Sequence, residues 1–460
     1  MVAAPQLLRV VEAVPADSMG VHLAAEVPGI TTRELAAILV FGALVVLFAA
    51  FAGSLRRHLV GAPLAFVAAG VALGMLTASD GATSLVGMRL VAEVTLALVL
   101  FHDAAQVRPR QSKGDRSVIA RLLLLGLPLS ILLGTIAARL VFPGMSVIMA
   151  LLLAAALAPT DAALGAATVL NPRVPVRVRR MLNVESGLND GLATPVVLFA
   201  IAAIAGEEGL GPVRTIGDAA ADLAIGGVAG AAVGAGGAAL LTWSRGRCTS
   251  TMPSRALAVM FLPLLAFGGA ALLSGNGYVA AFVCGTVFAG GAQWLEDEES
   301  ALRLTEALAD PLAYAVWLVF GFAAASLVWD RIGPRQVVFA ILSLTVLRMV
   351  PVAVALIGTG LRVRTLTFVG WFGPRGLVTV VFAVLALESL APEEELGVVL
   401  TTITLTVILS VIAHGMTAPP MARAYGQWIE AQPPGPELAG APEPRTRGIR
   451  VMTHQPRTRG

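Results

Sequence analysis

Three carboxylates fall in two adjacent apolar segments: Asp161 in APTDAALGAATVL, and Glu185 and Asp190 in NVESGLNDGLATPVVL. Thr160 precedes the first acid, and Ser186 and Asn189 lie between the other two. A charge at the centre of a bilayer costs at least about 2.5–3.5 kcal/mol on insertion scales, so such residues point to a shared polar site. On a helix, Ser186 and Asp190 share one face, as do Glu185 and Asn189, because residues four apart are neighbours. Carboxylate, amide and hydroxyl oxygens form a hard-ligand set, suited to a small monovalent cation and equally to a proton. Desolvation raises the pKa of a carboxyl group, so an acid in a partly dehydrated cavity can titrate nearer neutrality. That is the minimum equipment for proton–cation exchange.

Other charges extend the pattern. Arg348 is a lone base in LSLTVLRMVPV and needs a carboxylate partner. Glu185 is the preferred partner, since that pairing leaves Asp161 and Asp190 for substrate; snorkelling of Arg348 to an interface is the alternative. Asp103, in LVLFHDAAQV, either lines the approach to the site or caps a helix end. His102 and His414 read as packing or interfacial groups rather than proton sensors. Cys248 and Cys284 show neither metal spacing nor disulfide pairing.

The segments that hold these groups are interrupted. Pro159 removes a backbone donor two residues before Asp161, and WFGPRG at 371–376 breaks another apolar run. Two broken segments in corresponding halves of a membrane protein mark a transport site. Where half-helices cross, an acid suits the paired N-terminal ends and a base the paired C-terminal ends, which are the roles expected of Asp161 and Arg375.

Composition explains why these charges stand out. The 460 residues are 57% hydrophobic and 13% charged, about half the charge of an average soluble chain. The runs predict an all-α polytopic membrane protein with about thirteen transmembrane helices. The formal charge of +3 makes no case for nucleic acid. Residues 1–33 read as a tail or surface segment, 34–422 as the membrane domain and 423–460 as a disordered cytoplasmic tail rich in Pro, Gly, Glu and Arg. Arginines crowd alternate loops: Arg56 and Arg57; Arg108, Arg110 and Arg116 with Lys113; Arg173, Arg177, Arg179 and Arg180; Arg245, Arg247 and Arg255; Arg362 and Arg364. Arg214, Arg331 and Arg335 go the other way, and Arg89 and Arg139 lie near outer span ends, but the positive-inside rule still puts the N-terminus outside the cell membrane and the C-terminus in the cytoplasm.

APTD on one span, ESGLND on the next, a later arginine-bearing span and a GPRG break together resemble the monovalent cation/proton antiporters of the NhaP and sodium/proton-exchanger type. The resemblance covers about 30–420 and implies an inverted-repeat fold with two interrupted crossing helices. It implies a core over about 118–205 and 336–422, a dimerisation part over about 34–107 and 255–329, a linking helix at about 216–243, and a homodimer. It makes Asp190 the carboxylate that binds ion or proton, with Thr160, Asp161 and Ser186 completing the cation's ligands. Asn189 sits where charge-moving relatives have a second aspartate, which implies electroneutral one-for-one exchange. Glu185 would pair with Arg348, and Arg375 would offset helix-end dipoles. Two departures stand: Ala162 replaces a common proline, and the only lysine, Lys113, lies in a loop. The expected substrates are Na+ and Li+ with H+, K+ being the alternative cation, and no cofactor is implied. A remote alternative is an intramembrane aspartyl protease dyad, but PTD and LND differ from the YD and GxGD motifs of such enzymes.

Overall fold

The computed structural model describes residues 32–57, 61–77, 88–107, 116–161, 164, 171–207, 216–296, 300–327, 332–433 and 435–438. Almost all of the expected N-terminal tail, the loop at 108–115, the second half of the fifth span at 165–170 and the end of the C-terminal tail lie outside them.

The chain divides into two units, Met1–Ala50 and Phe51–Gly460. The first holds most of α1 (Thr32–Arg57), an apolar helix whose only charges lie near its ends. The second is all helical among the described residues. It comprises α2 (Ala62–Thr77), α3 (Met88–Gln106), α4 (Arg116–Val141), α5 (Val147–Ala156), α6 (Val176–Glu207), α7 (Ile216–Gly246) and α8 (Met252–Leu272). After these come α9 (Gly277–Gly291), α10 (Ser300–Leu327), α11 (Pro334–Ala355), α12 (Val363–Trp371), α13 (Leu377–Ser389) and α14 (Glu394–Glu430).

Eight of these helices are long and apolar enough to cross a membrane. Length and composition thus mark fewer crossings than expected, because α2, α5, α9 and α13 are short and α3 carries Arg89, Glu93 and Asp103.

Local chemistry sets the ends and irregularities. The Ser146 hydroxyl caps α5 by accepting the Met149 N–H, and the Asn276 side chain caps α9 by accepting two N–H groups. A single π turn, Leu122–Gly126, lies within α4. Helix α11 is broken at Thr345, whose φ of −116° and ψ of −93° stop one segment at Leu344 and start another at Val346. Glycines at 226, 230 and 234 on α7 lie against the backbone of Asn276, Ala280 and Cys284. A methyl group at any of the three would fall 2.3–2.6 Å from a carbonyl oxygen, so α7 and α9 pack through bare backbone. The site sits where α3, α5, α6 and α13 meet, with α11 and α14 behind it.

The C-terminal boundary differs from the expected one. Helix α14 continues to Glu430, and a short turn at Pro436–Leu438 returns to the ends of α6 and α12. Glu437 is fully buried there and accepts the Arg362 N–H at 2.7 Å, the Arg362 guanidinium at 2.6 Å and the Thr365 hydroxyl at 3.1 Å. Burial pushes its carboxyl pKa up, but the backbone N–H bonds, the Thr365 hydroxyl and Arg362 together hold it below the ordinary value. Composition over 423–438 reads as unstructured because few apolar anchors, Tyr425 and Ile429, hold the last helical turns, and the Glu437–Arg362 ion pair fixes the turn after them.

Candidate functional site

The two broken segments meet. After α5 the chain runs without regular structure through Pro159, Thr160 and Asp161, and 372–376 separates α12 from α13. The Asp161 N–H donates to the Pro374 carbonyl at 2.8 Å, and the Leu377 N–H donates to Asp161 Oδ2 at 3.0 Å. A Cβ at Gly376 would lie 2.0 Å from that same oxygen, so only glycine admits the carboxylate there. The acid of the first break therefore sits at the N-terminus of α13, where unpaired N–H groups carry partial positive charge.

The base of the second break does the converse. The Arg375 guanidinium donates to the carbonyls of Ala158 at 2.9 Å and Pro159 at 3.2 Å, just beyond the C-terminal end of α5. Its other terminal nitrogen donates to the Ser343 carbonyl at 3.1 Å. The break at Thr345 leaves that carbonyl outside the helical ladder, so Arg375 supplies the missing donor. Arg375 is 1% exposed.

Helix α6 braces the first break. Asn189 Oδ1 accepts the Thr160 N–H at 3.3 Å, and Asn189 Nδ2 donates to Thr160 Oγ1 at 2.8 Å and to Glu185 Oε1 at 3.4 Å. The Ser186 hydroxyl donates to the Thr160 carbonyl. Glu185 and Arg348 form a bidentate pair, 2.7 Å for each bond, with side chains 3% and 6% exposed. Arg348 lies directly beneath the second break, leaving no room for a Cβ at Gly373.

A cavity opens between α3, α6 and the start of α13. Asp161, Ser186 and Asp190 line it, together with Asp103, Gln106 and Asn183. Its wall thus carries three carboxylates and no basic side chain among the described residues. Gly187 faces Asp103 across a gap in which a Cβ would lie 3.3 Å from the Asp103 Cβ, so α6 approaches α3 closely. Among the described residues no three His, Cys, Asp or Glu side chains gather as a metal-binding group. The oxygens offered here come instead from a mixture of carboxylates, a hydroxyl and amides, the set suited to a monovalent cation.

Thr160 and Asn189 stand apart from the other expected ligands. They do not line this cavity but bond to each other behind it. The helical spacing of Asn189 from Glu185 told which face it shares, but not that the face is turned to the broken segment.

Sequence reasoning missed four contributors. Asn183 is three residues before Ser186 and seven before Asp190, so its face was legible from helical period. Gln106 follows Asp103 by one turn and carried the same signal. Nothing in the sequence marks the break at Thr345, which has neither glycine nor proline beside it. Ser410, which accepts the Arg375 N–H at 2.7 Å, comes from α14 and had no local signal. His102 is buried beside Gln106, and His414 is buried between Ser410 and the carbonyl of Trp371.

A family model described as the transmembrane part of the sodium/hydrogen exchanger matches residues 36–424. A protein of Alkalimonas amylolytica named K(+)/H(+) antiporter NhaP is 25% identical over 413 residues, covering 86% of this chain and 67% of that protein. An uncharacterized Na(+)/H(+) exchanger of Mycobacterium tuberculosis is 25% identical over 406 residues, covering 80% of this chain and 71% of that protein. The fold matches the sodium proton antiporter MjNhaP1 of Methanocaldococcus jannaschii at pH 8 with a TM-score of 0.73, at 19% identity, over 85% of this chain and 98% of that one.

Proposed function

The chain belongs to the sodium/hydrogen exchanger family, and on that footing we propose that it exchanges protons for monovalent cations at Asp190. The family is one of secondary transporters in the membrane, not of enzymes, and such antiporters need no cofactor: the transported ions are the substrates. An aspartyl protease therefore has no support.

The observation that carries the mechanism is the cavity wall, which brings Asp103, Asp161 and Asp190 together with Ser186. Asp190 binds either a proton or a bare cation. Asp161 and Ser186 add oxygens from the same wall, while Asn189 holds Thr160 and the first break in place. Asp103 stands at the approach. Because position 189 is an amide, one charge is swapped for one and the exchange is electroneutral. Na+ is the principal cation, with Li+ beside it. The relative named as a K(+)/H(+) antiporter favours a second reading, in which K+ takes the same place. The core of α4–α6 and α11–α14 moves against the remaining helices in a homodimer of the cell membrane. The arginine loops put the N-terminus outside and the C-terminus in the cytoplasm.

Proteoliposomes with a trapped pH dye test this with Li+, Na+ and K+ in turn. Competition at one carboxylate predicts that the apparent KM for the cation rises as pH falls, while the maximal rate changes less. An imposed membrane potential leaves the rate unchanged. A KM independent of pH, or net transport driven by the potential, overturns the mechanism.

A further inference from the structure

We propose that Ser410 and His414 of α14 are positioning residues for the cation site, fixing where Asp161 and Arg375 stand without touching the cavity. Between α12 and α13 the backbone of 372–376 has lost its helical partners, and freed groups in a buried break need others. Helix α14 supplies them on both sides. Ser410 Oγ accepts the Arg375 N–H at 2.7 Å, and His414 Nε2 lies 2.9 Å from the Trp371 carbonyl at the end of α12.

The two side chains also join each other, with Ser410 Oγ 3.2 Å from His414 Nδ1. His414 Nδ1 also lies 2.9 Å from the Ser410 backbone carbonyl, so the ring is held between two carbonyls, one on each side. An Nε2–H donates to Trp371 O, and the oxygen of the Ser410 hydroxyl accepts the Arg375 N–H. The His414 ring also packs on the Trp371 indole, 5.1 Å between centroids, and the indole N–H donates to Thr417 Oγ1 at 3.0 Å. So α14 grips the break at the residue before it and again at Arg375.

The link onward to the site is short. Pro374 accepts the Asp161 N–H, Leu377 donates to the Asp161 carboxylate, and Arg375 donates to Ala158 and Pro159 beside Thr160. Whatever places 374–377 therefore aims Asp161. From sequence alone His414 reads as a packing or interfacial group; its contacts extend that role to this one.

The test compares wild type with Ser410→Ala, His414→Leu and His414→Gln. Two readouts are used: cation-driven proton exchange in proteoliposomes and hydrogen–deuterium exchange of the amides at 372–377 in the purified protein. Losing one hydrogen bond predicts a rise of about fivefold in apparent KM, with the maximal rate nearly kept, in Ser410→Ala and His414→Leu. Amide exchange over 372–377 rises by about the same factor in both. His414→Gln, which keeps a donor for Trp371 O, returns both readouts towards wild type. An unchanged KM, unchanged amide protection, or a glutamine variant as impaired as the leucine one overturns the proposal. The transport arm rests on the exchange mechanism above. If wild type exchanges no cation, that mechanism falls, and the amide arm still decides whether Ser410 and His414 hold the break.

Discussion

The two breaks are built from the same device and end in opposite environments. Each carries one charge, and each charge serves the other segment's helix end: Asp161 at the N-terminus of α13, Arg375 at the carbonyls after α5. Asp161 nevertheless also faces the cavity, beside Asp190 and Ser186, whereas Arg375 is entombed with three carbonyl partners. The difference assigns the labour. On the proposed mechanism the acidic side of the crossing is the wet one, exchanging ligands through the cavity; the basic side, with Arg348 and Glu185 beneath it, is enclosed and dry and braces the crossing.

This contrast breaks first at Asp190. Asp190→Asn removes the exchangeable charge from the wet side, and we expect complete loss of proton–cation exchange with a melting temperature close to wild type. Retained exchange in that variant, measured by dye response in proteoliposomes, removes Asp190 from the mechanism.

The dry side predicts the reverse signature. Removing one member of a buried ion pair leaves an uncompensated charge, costing on the order of 3–5 kcal/mol. Glu185→Gln and Arg348→Gln should each lower expression and thermal stability, and the double change should recover part of the loss. A strictly additive double-mutant cycle would mean that the bidentate contact contributes no coupling.

Asp161→Asn sharpens the comparison, because Asp161 belongs to both sides. Asparagine keeps an oxygen for the Leu377 N–H but removes the charge from the α13 N-terminus, a change of about 0.3–1 kcal/mol in stability. The apparent KM for the cation should rise by more than that small loss suggests. Calorimetry or thermal shift alongside transport separates the two, and a stability loss with unchanged KM would leave Asp161 as a cap only.

Much of this was legible from residue type and period. An acid inside an apolar run is costly wherever the chain folds, so Asp161, Glu185 and Asp190 declare themselves without coordinates. Pro159 and Pro374 cannot continue a helix, so the two breaks are local facts. The Glu185–Arg348 contact followed from the need of a buried base for a partner, and the structure places those two groups 2.7 Å apart. The brace between Asn189 and Thr160, by contrast, depends on which side of α6 the broken segment passes. The turn around Glu437 joins residues 75 apart in sequence, which no local pattern encodes.

By itself, then, the sequence determined the membrane class, the charges of the candidate site and the two proline breaks, because burial cost and proline geometry act within one segment. Only the tertiary structure decided that Arg375 answers the carbonyls of α5 and Ser343, that Asn183 and Gln106 join the cavity wall, and that Ser410 and His414 grip the second break. Those pairings are chosen by how helices pack across as many as 217 residues of sequence, where a few hydrogen bonds of fixed length select one register among many.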